Sequence, residues 1–65
     1  MSDFKTRLIA ERDELVEKTN KLAEFLEAPK FLELGDEHQF LLITQHAAMS
    51  QYALILNRRL FLLGE

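Results

Sequence analysis

Two polar side chains that could bind a ligand stand where an apolar helix face is expected. Arg12 and Thr19 interrupt a stripe of leucines formed by Leu8, Leu15 and Leu22. The ordinary interpretation is that Arg12 extends its charged end into solvent and that Thr19 bonds its hydroxyl to the preceding helical turn. The alternative is that a symmetric assembly gathers copies of both side chains as hydrogen-bond donors around an anion.

Two adjacent arginines, Arg58 and Arg59, are the only charged side chains between residues 38 and 64, whereas residues 1–37 hold six basic and ten acidic ones. An unpaired buried guanidinium is very costly. The ordinary interpretation pairs them with the helix C-terminus or with acidic residues of the first half. The alternative is phosphate binding, because the planar guanidinium matches phosphate oxygens.

Residues for catalysis or metal binding are missing from the sequence. The chain has no cysteine, no glycine-rich phosphate loop, and no histidine placed with a nucleophile and an acid. His38 and His46 lie eight residues apart with no cysteine to complete a zinc site. We therefore expect a binding or interaction protein that is not an enzyme and that uses no metal or cofactor.

The elements that must position these residues are helices. Hydrophobic residues make up 48% of the 65 residues, with one proline and two glycines, a composition too apolar for disorder and too poor in turn residues for a sandwich or barrel. A chain this short buries only about 60% of its unfolded surface. With disulfides excluded, oligomerisation is the remaining way to stabilise a single domain spanning residues 1–65.

The periodicity predicts an all-α antiparallel hairpin of two long helices with a short helical turn between them. Helix 1 is expected over about residues 3–27, because the residue before Pro29 leaves the α region. The connector covers residues 28–36. Helix 2 is expected over about residues 37–63, started by a capping box of Asp36 and Gln39 and ended by Gly64.

Helix 2 is apolar on more sides than one partner helix can cover. Its seam against helix 1 is predicted to contain Leu42, Met49, Ala53, Leu56, Leu60 and Leu63. A second apolar series lies on another side and contains Ile43, Ala47, Leu54 and Phe61. We therefore expect a homo-oligomer in which copies of helix 2 cover this second series.

We expect neither a membrane-spanning helix nor binding to a long nucleic acid. A membrane-spanning helix 2 would carry Arg58, Arg59 and several amides into lipid at high cost. A net charge of −3 argues against a long nucleic acid as a partner, since proteins that bind nucleic acids present an excess of lysine and arginine.

The N-terminus has no apolar core for a signal peptide, so we expect an intracellular protein.

The sequence resembles the small helical hairpin shared by phage anti-CBASS and anti-Thoeris sponge proteins. The residues that carry the resemblance are Glu11 to Leu15, Lys18 to Leu26, Phe31, Leu41, Leu42, Gln45, Ala48, Met49, Tyr52 and Ile55 to Leu60. The resemblance covers most of the chain. The features shared with the family are residue types at helical spacing, which do not form a rigid sequence signature.

The resemblance implies an immune-evasion protein in the cytoplasm of the infected bacterial host. It would assemble as a trimer or hexamer and sequester cyclic oligonucleotide second messengers without cleaving them. The positions that match the family's phosphate contacts around a three-fold axis are Thr19 and either Arg58 or Arg59, with Lys18 and Lys21 as helpers. In the family, a cyclic dinucleotide pocket uses an N-terminal segment with an aromatic residue ahead of the hairpin. This sequence begins almost at helix 1 and offers only Phe4 there, so the resemblance favours cyclic trinucleotides over cyclic dinucleotides.

An alternative function comes from a different class of protein. The apolar faces of helix 2 could bind a host or phage protein, which would make the chain a small oligomeric helical adaptor. In that case the two arginines are ordinary interface residues.

Overall fold

The structure, a computed structural model, describes the backbone of residues 2–64 and the side chains of residues 3–64. It contains three helices: α1 (Ser2–Leu26), α2 (Pro29–Leu32) and α3 (Asp36–Leu62). The two long helices lie side by side in a rod of 47 × 14 × 13 Å. Leu8 near the start of α1 packs on Leu60 near the end of α3, so the helices are antiparallel. The predicted all-α hairpin is confirmed, and residues 2–64 contain no strand.

The proline of the connector ends α1 as its chemistry requires. Ala28 is extended, with φ −82° and ψ 151°, because an α conformation before Pro29 would clash with the proline ring. The last helical residue of α1 is Leu26, one residue before the predicted end. The amide of Ala28 still donates to the Phe25 carbonyl at 3.0 Å, so the helix closes with a tight final turn.

The connector is held against the closed end of the hairpin by an aromatic pair. Phe31 of α2 is buried, and its ring meets the Phe25 ring edge-on, with centroids 6.3 Å apart and planes at 88°. Edge-to-face packing of this kind adds about 0.5–1.5 kcal/mol beyond the area that is buried. The short turn therefore closes the end of the hairpin, as its apolar residues predict.

The predicted capping box at the start of α3 is wrong. Gly35 is the residue that precedes the helix, and its extended backbone (φ −64°, ψ 159°) leaves Asp36 inside the first turn with no side-chain cap bond. Gln39 instead turns back to the connector, where its amide nitrogen donates to the Leu34 carbonyl at 2.7 Å. The reason is that the chain enters the helix one residue earlier than the capping-box spacing assumed.

The core of a single chain is small. Leu56 and Leu60 are fully buried and pack with Leu8, while Ile9 and Leu15 lie against this cluster and are partly buried. The other members of the predicted seam are less protected: Leu42, Met49 and Ala53 are half-buried, and Leu63 is exposed. A core of this size is marginal for independent stability.

Much of the apolar surface of α3 faces outward. The predicted second series is exposed throughout, and Phe61 retains 67% of its accessible surface. Further exposed apolar side chains on α3 are Phe40, Leu41, Ile55 and Leu62. Isolated exposed apolar residues are common, but many of them on one helix are typical of an interaction surface. No helix within residues 2–64 has the length and hydropathy needed to cross a membrane.

The end of α3 follows from a glycine. Gly64 has φ +89°, a left-handed conformation that residues with a Cβ rarely adopt. Its amide donates to the Phe61 carbonyl at 3.0 Å, and the Leu63 amide is shared between the Arg59 and Leu60 carbonyls. Gly64 therefore terminates the helix as predicted.

Candidate functional site

Thr19 lies on the inner face of α1 and is 8% exposed. Its hydroxyl donates to the Leu15 carbonyl of the preceding turn at 2.7 Å. This is the ordinary role of a threonine within a helix. Because the hydroxyl hydrogen is used in this bond, the oxygen presents acceptor lone pairs to its surroundings.

Thr19 also lines an open groove between the two long helices. The groove has a volume of about 270 Å³. Its lining residues are Val16, Thr19, Asn20, Ser50, Ala53, Leu54 and Asn57. Small and apolar side chains thus stand beside two hydroxyls and two amides, a combination that fits the flat apolar faces and polar edges of a small organic ligand.

Arg12 crosses the seam between the helices. Its Nε donates to the Asp13 carboxylate at 2.9 Å, and its Nη1 donates to the side-chain oxygen of Asn57 at 2.9 Å. The side chain of Arg12 is 22% exposed. Arg12 therefore fills its position in the leucine stripe as a bridge from α1 to α3, and it does not line the groove beside Thr19.

The adjacent arginines of α3 point to different places, because neighbours on a helix are about 100° apart. The Arg58 guanidinium lies over the Phe61 ring, 5.8 Å from its centroid, in a cation–π contact. Arg59 lines a second cleft of about 300 Å³ at the open end of the hairpin, together with Phe4, Arg7, Leu8 and Glu11. Within one chain, neither arginine lines the groove beside Thr19.

Tyr52 and Glu11 form a second link across the seam, which the sequence patterns did not reveal. The Tyr52 hydroxyl donates to the Glu11 carboxylate. This hydrogen bond raises the pKa of Tyr52, partial burial and the Glu11 charge add to the rise, and the Arg59 charge opposes it. The bond holds Glu11 at the edge of the second cleft.

The two lysines offered as helpers are both exposed on α1. Lys21 lies 3.9 Å from the Glu17 carboxylate one helical turn away, with both side chains largely exposed. Pairs of this kind contribute little to stability. The lysines can therefore turn toward an incoming anion at small cost.

The apolar stripes of the two long helices do not reveal three of the groove residues, Asn20, Ser50 and Asn57. Asn57 stands between an apolar residue and an arginine of α3, and only its position opposite Arg12 distinguishes it. That position depends on how the two helices are aligned, which helical periodicity alone does not fix. Within residues 2–64, no group of three or more histidine, aspartate or glutamate side chains is arranged to hold a metal ion.

Comparisons with known proteins give a matching family model and a phage relative. A family model described as Sequestin matches residues 2–62. A protein of Enterobacteria phage T4, described as an uncharacterized 7.5 kDa protein in the denB-rIIB intergenic region, is 38% identical over 60 residues. The aligned region covers 92% of this chain and 94% of the phage protein. No solved structure matches the chain.

Proposed function

The chain belongs to the Sequestin family, and from that premise we propose that it is a phage protein that binds and sequesters cyclic oligonucleotide second messengers. Cyclic trinucleotides are its favoured ligands and cyclic dinucleotides the alternative. It acts in the cytoplasm of the infected bacterial host, where removal of the messenger blocks CBASS-type defence. The ligand is held without being cleaved.

The observation that carries the proposal is the groove beside Thr19. It offers apolar contact from Val16, Ala53 and Leu54 for the faces of a base, and polar atoms at its edges. To donate to a phosphate, the Thr19 hydroxyl turns away from the Leu15 carbonyl, at the cost of one neutral hydrogen bond of about 0.5–1.5 kcal/mol. A charge-assisted bond to the phosphate offsets that cost.

Positive charge for the phosphates comes from a second copy of the chain. Arg58 and Arg59 lie on other faces of the same hairpin, so one chain does not combine them with its own Thr19. The exposed apolar series of α3 supplies the surface through which copies associate. In a trimer or hexamer, Thr19 and one arginine from each chain meet around the anion, with Lys18 and Lys21 at the rim.

Sequestration without chemistry is part of the same proposal. A protein that only binds has to hold its ligand tightly, and it returns the ligand intact when it unfolds. The groove holds hydroxyls and amides, none of which is paired with a histidine or carboxylate that would activate it. We therefore propose a stoichiometric binder that is not an enzyme.

Calorimetric titration with a panel of cyclic trinucleotides and cyclic dinucleotides tests the proposal. We expect saturable binding of at least one cyclic trinucleotide, and recovery of the same nucleotide by chromatography after the protein is denatured. An absence of heat with every nucleotide would overturn the proposal. Shortened or linear products in the recovered fraction would overturn the claim that the ligand is not cleaved.

Single substitutions identify which arginine contacts the ligand. We expect Arg58→Ala or Arg59→Ala to abolish binding while the oligomer stays intact. Lys30→Ala is the matched control, because it removes the same charge from the exposed connector, outside both clefts. Equal loss of binding in all three variants would point to net charge instead of a site.

The exposed face of α3 also suits a second candidate, an adaptor that binds a host or phage protein through this surface. The two functions differ in what they need from the groove. The adaptor is the better description if the oligomer binds no cyclic nucleotide but binds a defined protein. The Ile43→Glu variant should then no longer bind that protein. Capture that survives Ile43→Glu would argue against this surface.

A further inference from the structure

We propose that Asn57 is a ligand-contacting residue of the groove beside Thr19, and that Arg12 is the positioning residue that makes its amide a hydrogen-bond donor. This inference rests on the proposed function and adds two residues to it. Asn57 lines the groove, and Arg12 stands outside the groove on the other helix.

The bond with Arg12 determines the orientation of the Asn57 amide. A guanidinium carries only donors, so the atom that faces Arg12 at 2.9 Å has to be the amide oxygen. The amide nitrogen occupies the opposite corner of the same planar group. Arg12 therefore occupies the acceptor of Asn57 and leaves its two N–H groups available to a ligand in the groove that Asn57 lines.

The orientation of the Asn57 amide is fixed before the ligand arrives. Arg12 is itself held by Asp13, whose carboxylate accepts from Nε at 2.9 Å. The Asn57 amide nitrogen has no hydrogen-bond partner in the part of the chain that the structure describes. A donor that is oriented but unused binds an acceptor with less loss of conformational freedom than a freely rotating amide.

Asn57 and Thr19 offer complementary hydrogen-bonding groups to a ligand in the groove that both residues line. The Thr19 hydroxyl donates to Leu15, so its oxygen presents an acceptor to the groove. Asn57 supplies the donor that the resting Thr19 lacks. A ligand with an acceptor, such as a phosphate oxygen or a purine ring nitrogen, can bond to Asn57 without any rearrangement of the protein.

The test compares variants of Asn57 by calorimetric titration of the full-length oligomer with cyclic tri-adenylate. Asn57→Asp keeps the size and the oxygen that faces Arg12 but replaces the donor with an acceptor. Asn57→Leu removes the donor without adding charge. We expect each to weaken binding by at least about tenfold, the loss of one bond to a charged group, while Asn57→Asp melts no lower than the wild type.

Gln51→Glu is the matched control for the charge of Asn57→Asp, because it makes the same chemical change on the same helix at an exposed position outside both clefts. We expect it to bind like the wild type. If both Asn57 variants bind cyclic tri-adenylate as tightly as the wild type does, this inference is overturned and the proposed function is not. A failure of the wild type to bind any cyclic oligonucleotide would overturn the proposed function as well.

The positioning role of Arg12 has its own readout. Arg12→Met frees the Asn57 amide to rotate, and we expect binding to weaken by severalfold. Arg12→Lys retains a charged donor on a shorter side chain, and we expect it to restore part of the affinity. If Arg12 has only a structural role, the affinity of Arg12→Met and Arg12→Lys will fall in proportion to their loss of melting temperature. It will then not depend on whether the side chain carries a donor.

Discussion

The hydroxyl of Tyr52 on α3 donates to the carboxylate of Glu11 on α1, across a separation of 41 residues in the chain. Glu11 raises the pKa of Tyr52 because a phenolate would lose this bond and would face a negative charge. Arg59 acts in the opposite direction. The bond thus connects α3 to α1 beside the cleft that Arg59 and Glu11 line. Titration of the Tyr52 hydroxyl measures it.

Tyr52 is predicted to titrate above the ordinary tyrosine pKa of about 10. Glu11→Gln keeps an acceptor in place but removes the charge, so it should move the pKa of Tyr52 down toward that value. Tyrosinate absorbance measures this directly, because the chain has one tyrosine and no tryptophan. Glu14→Gln is the control, and an equal shift in that variant would contradict a specific bond.

The same bond predicts a loss of stability at high pH. Since the pKa of Tyr52 is higher in the folded state, the stabilisation is fully present below the unfolded pKa of about 10. It is lost as the pH rises through the folded value. Tyr52→Phe should remove this part of the pH dependence. Urea unfolding of the wild type and of Tyr52→Phe between pH of about 9 and 12 measures how the free energy of unfolding depends on pH. Identical slopes of that free energy against pH would refute the prediction.

Leu56→Ala should lower the free energy of unfolding by about 2–5 kcal/mol. Leu56 is fully buried and belongs to the small cluster with Leu8 and Leu60, so the shortened side chain leaves a cavity in the main contact between α1 and α3. Leu32→Ala is the matched control, because Leu32 is 74% exposed in the connector. Urea unfolding at one protein concentration measures both, and equal losses would contradict the assigned core.

Gln39→Met should weaken the joint between the connector and α3. The variant keeps the length of the side chain and its helix propensity. It removes the donor that bonds the Leu34 carbonyl, at a cost of about 0.5–1.5 kcal/mol. Gln51→Met, on the exposed surface of the same helix, should cost less. Faster amide hydrogen exchange limited to the connector and first turn of α3 would be the local signature, and unchanged exchange there would argue against it.

Helical periodicity and one proline were enough to predict the hairpin. The apolar stripe of α1, the break before Pro29 and the two apolar sides of α3 are local features, and local features are what a sequence displays. The start of α3 was less predictable, because Gly35 and Asp36 are both plausible residues to precede a helix.

The groove was only half predictable. Thr19 stood out because it interrupts a leucine stripe, but Asn57 interrupts no comparable pattern. Its bond with Arg12 spans 45 residues and depends on the axial alignment of two packed helices, which interlocking side chains determine. The divergence of Arg58 and Arg59 follows from the helical rotation between neighbours. Arg58 meets Phe61 because residues three apart on one helix share a face, whereas the cleft that Arg59 lines depends on the alignment with α1.

Ile43→Glu should dissociate the proposed oligomer and leave the hairpin folded. Ile43 is 52% exposed on the second apolar series of α3, so the carboxylate is solvated in a single chain but would be desolvated between copies, at a cost of several kcal/mol. Sedimentation should show a trimer or hexamer for the wild type and for Gln51→Glu, which adds the same charge, and a smaller species for Ile43→Glu. Because the proposed site combines Thr19 with an arginine of another copy, cyclic trinucleotide binding should disappear with the oligomer. A dissociated Ile43→Glu that still binds cyclic tri-adenylate with wild-type affinity would show that one chain forms the whole site.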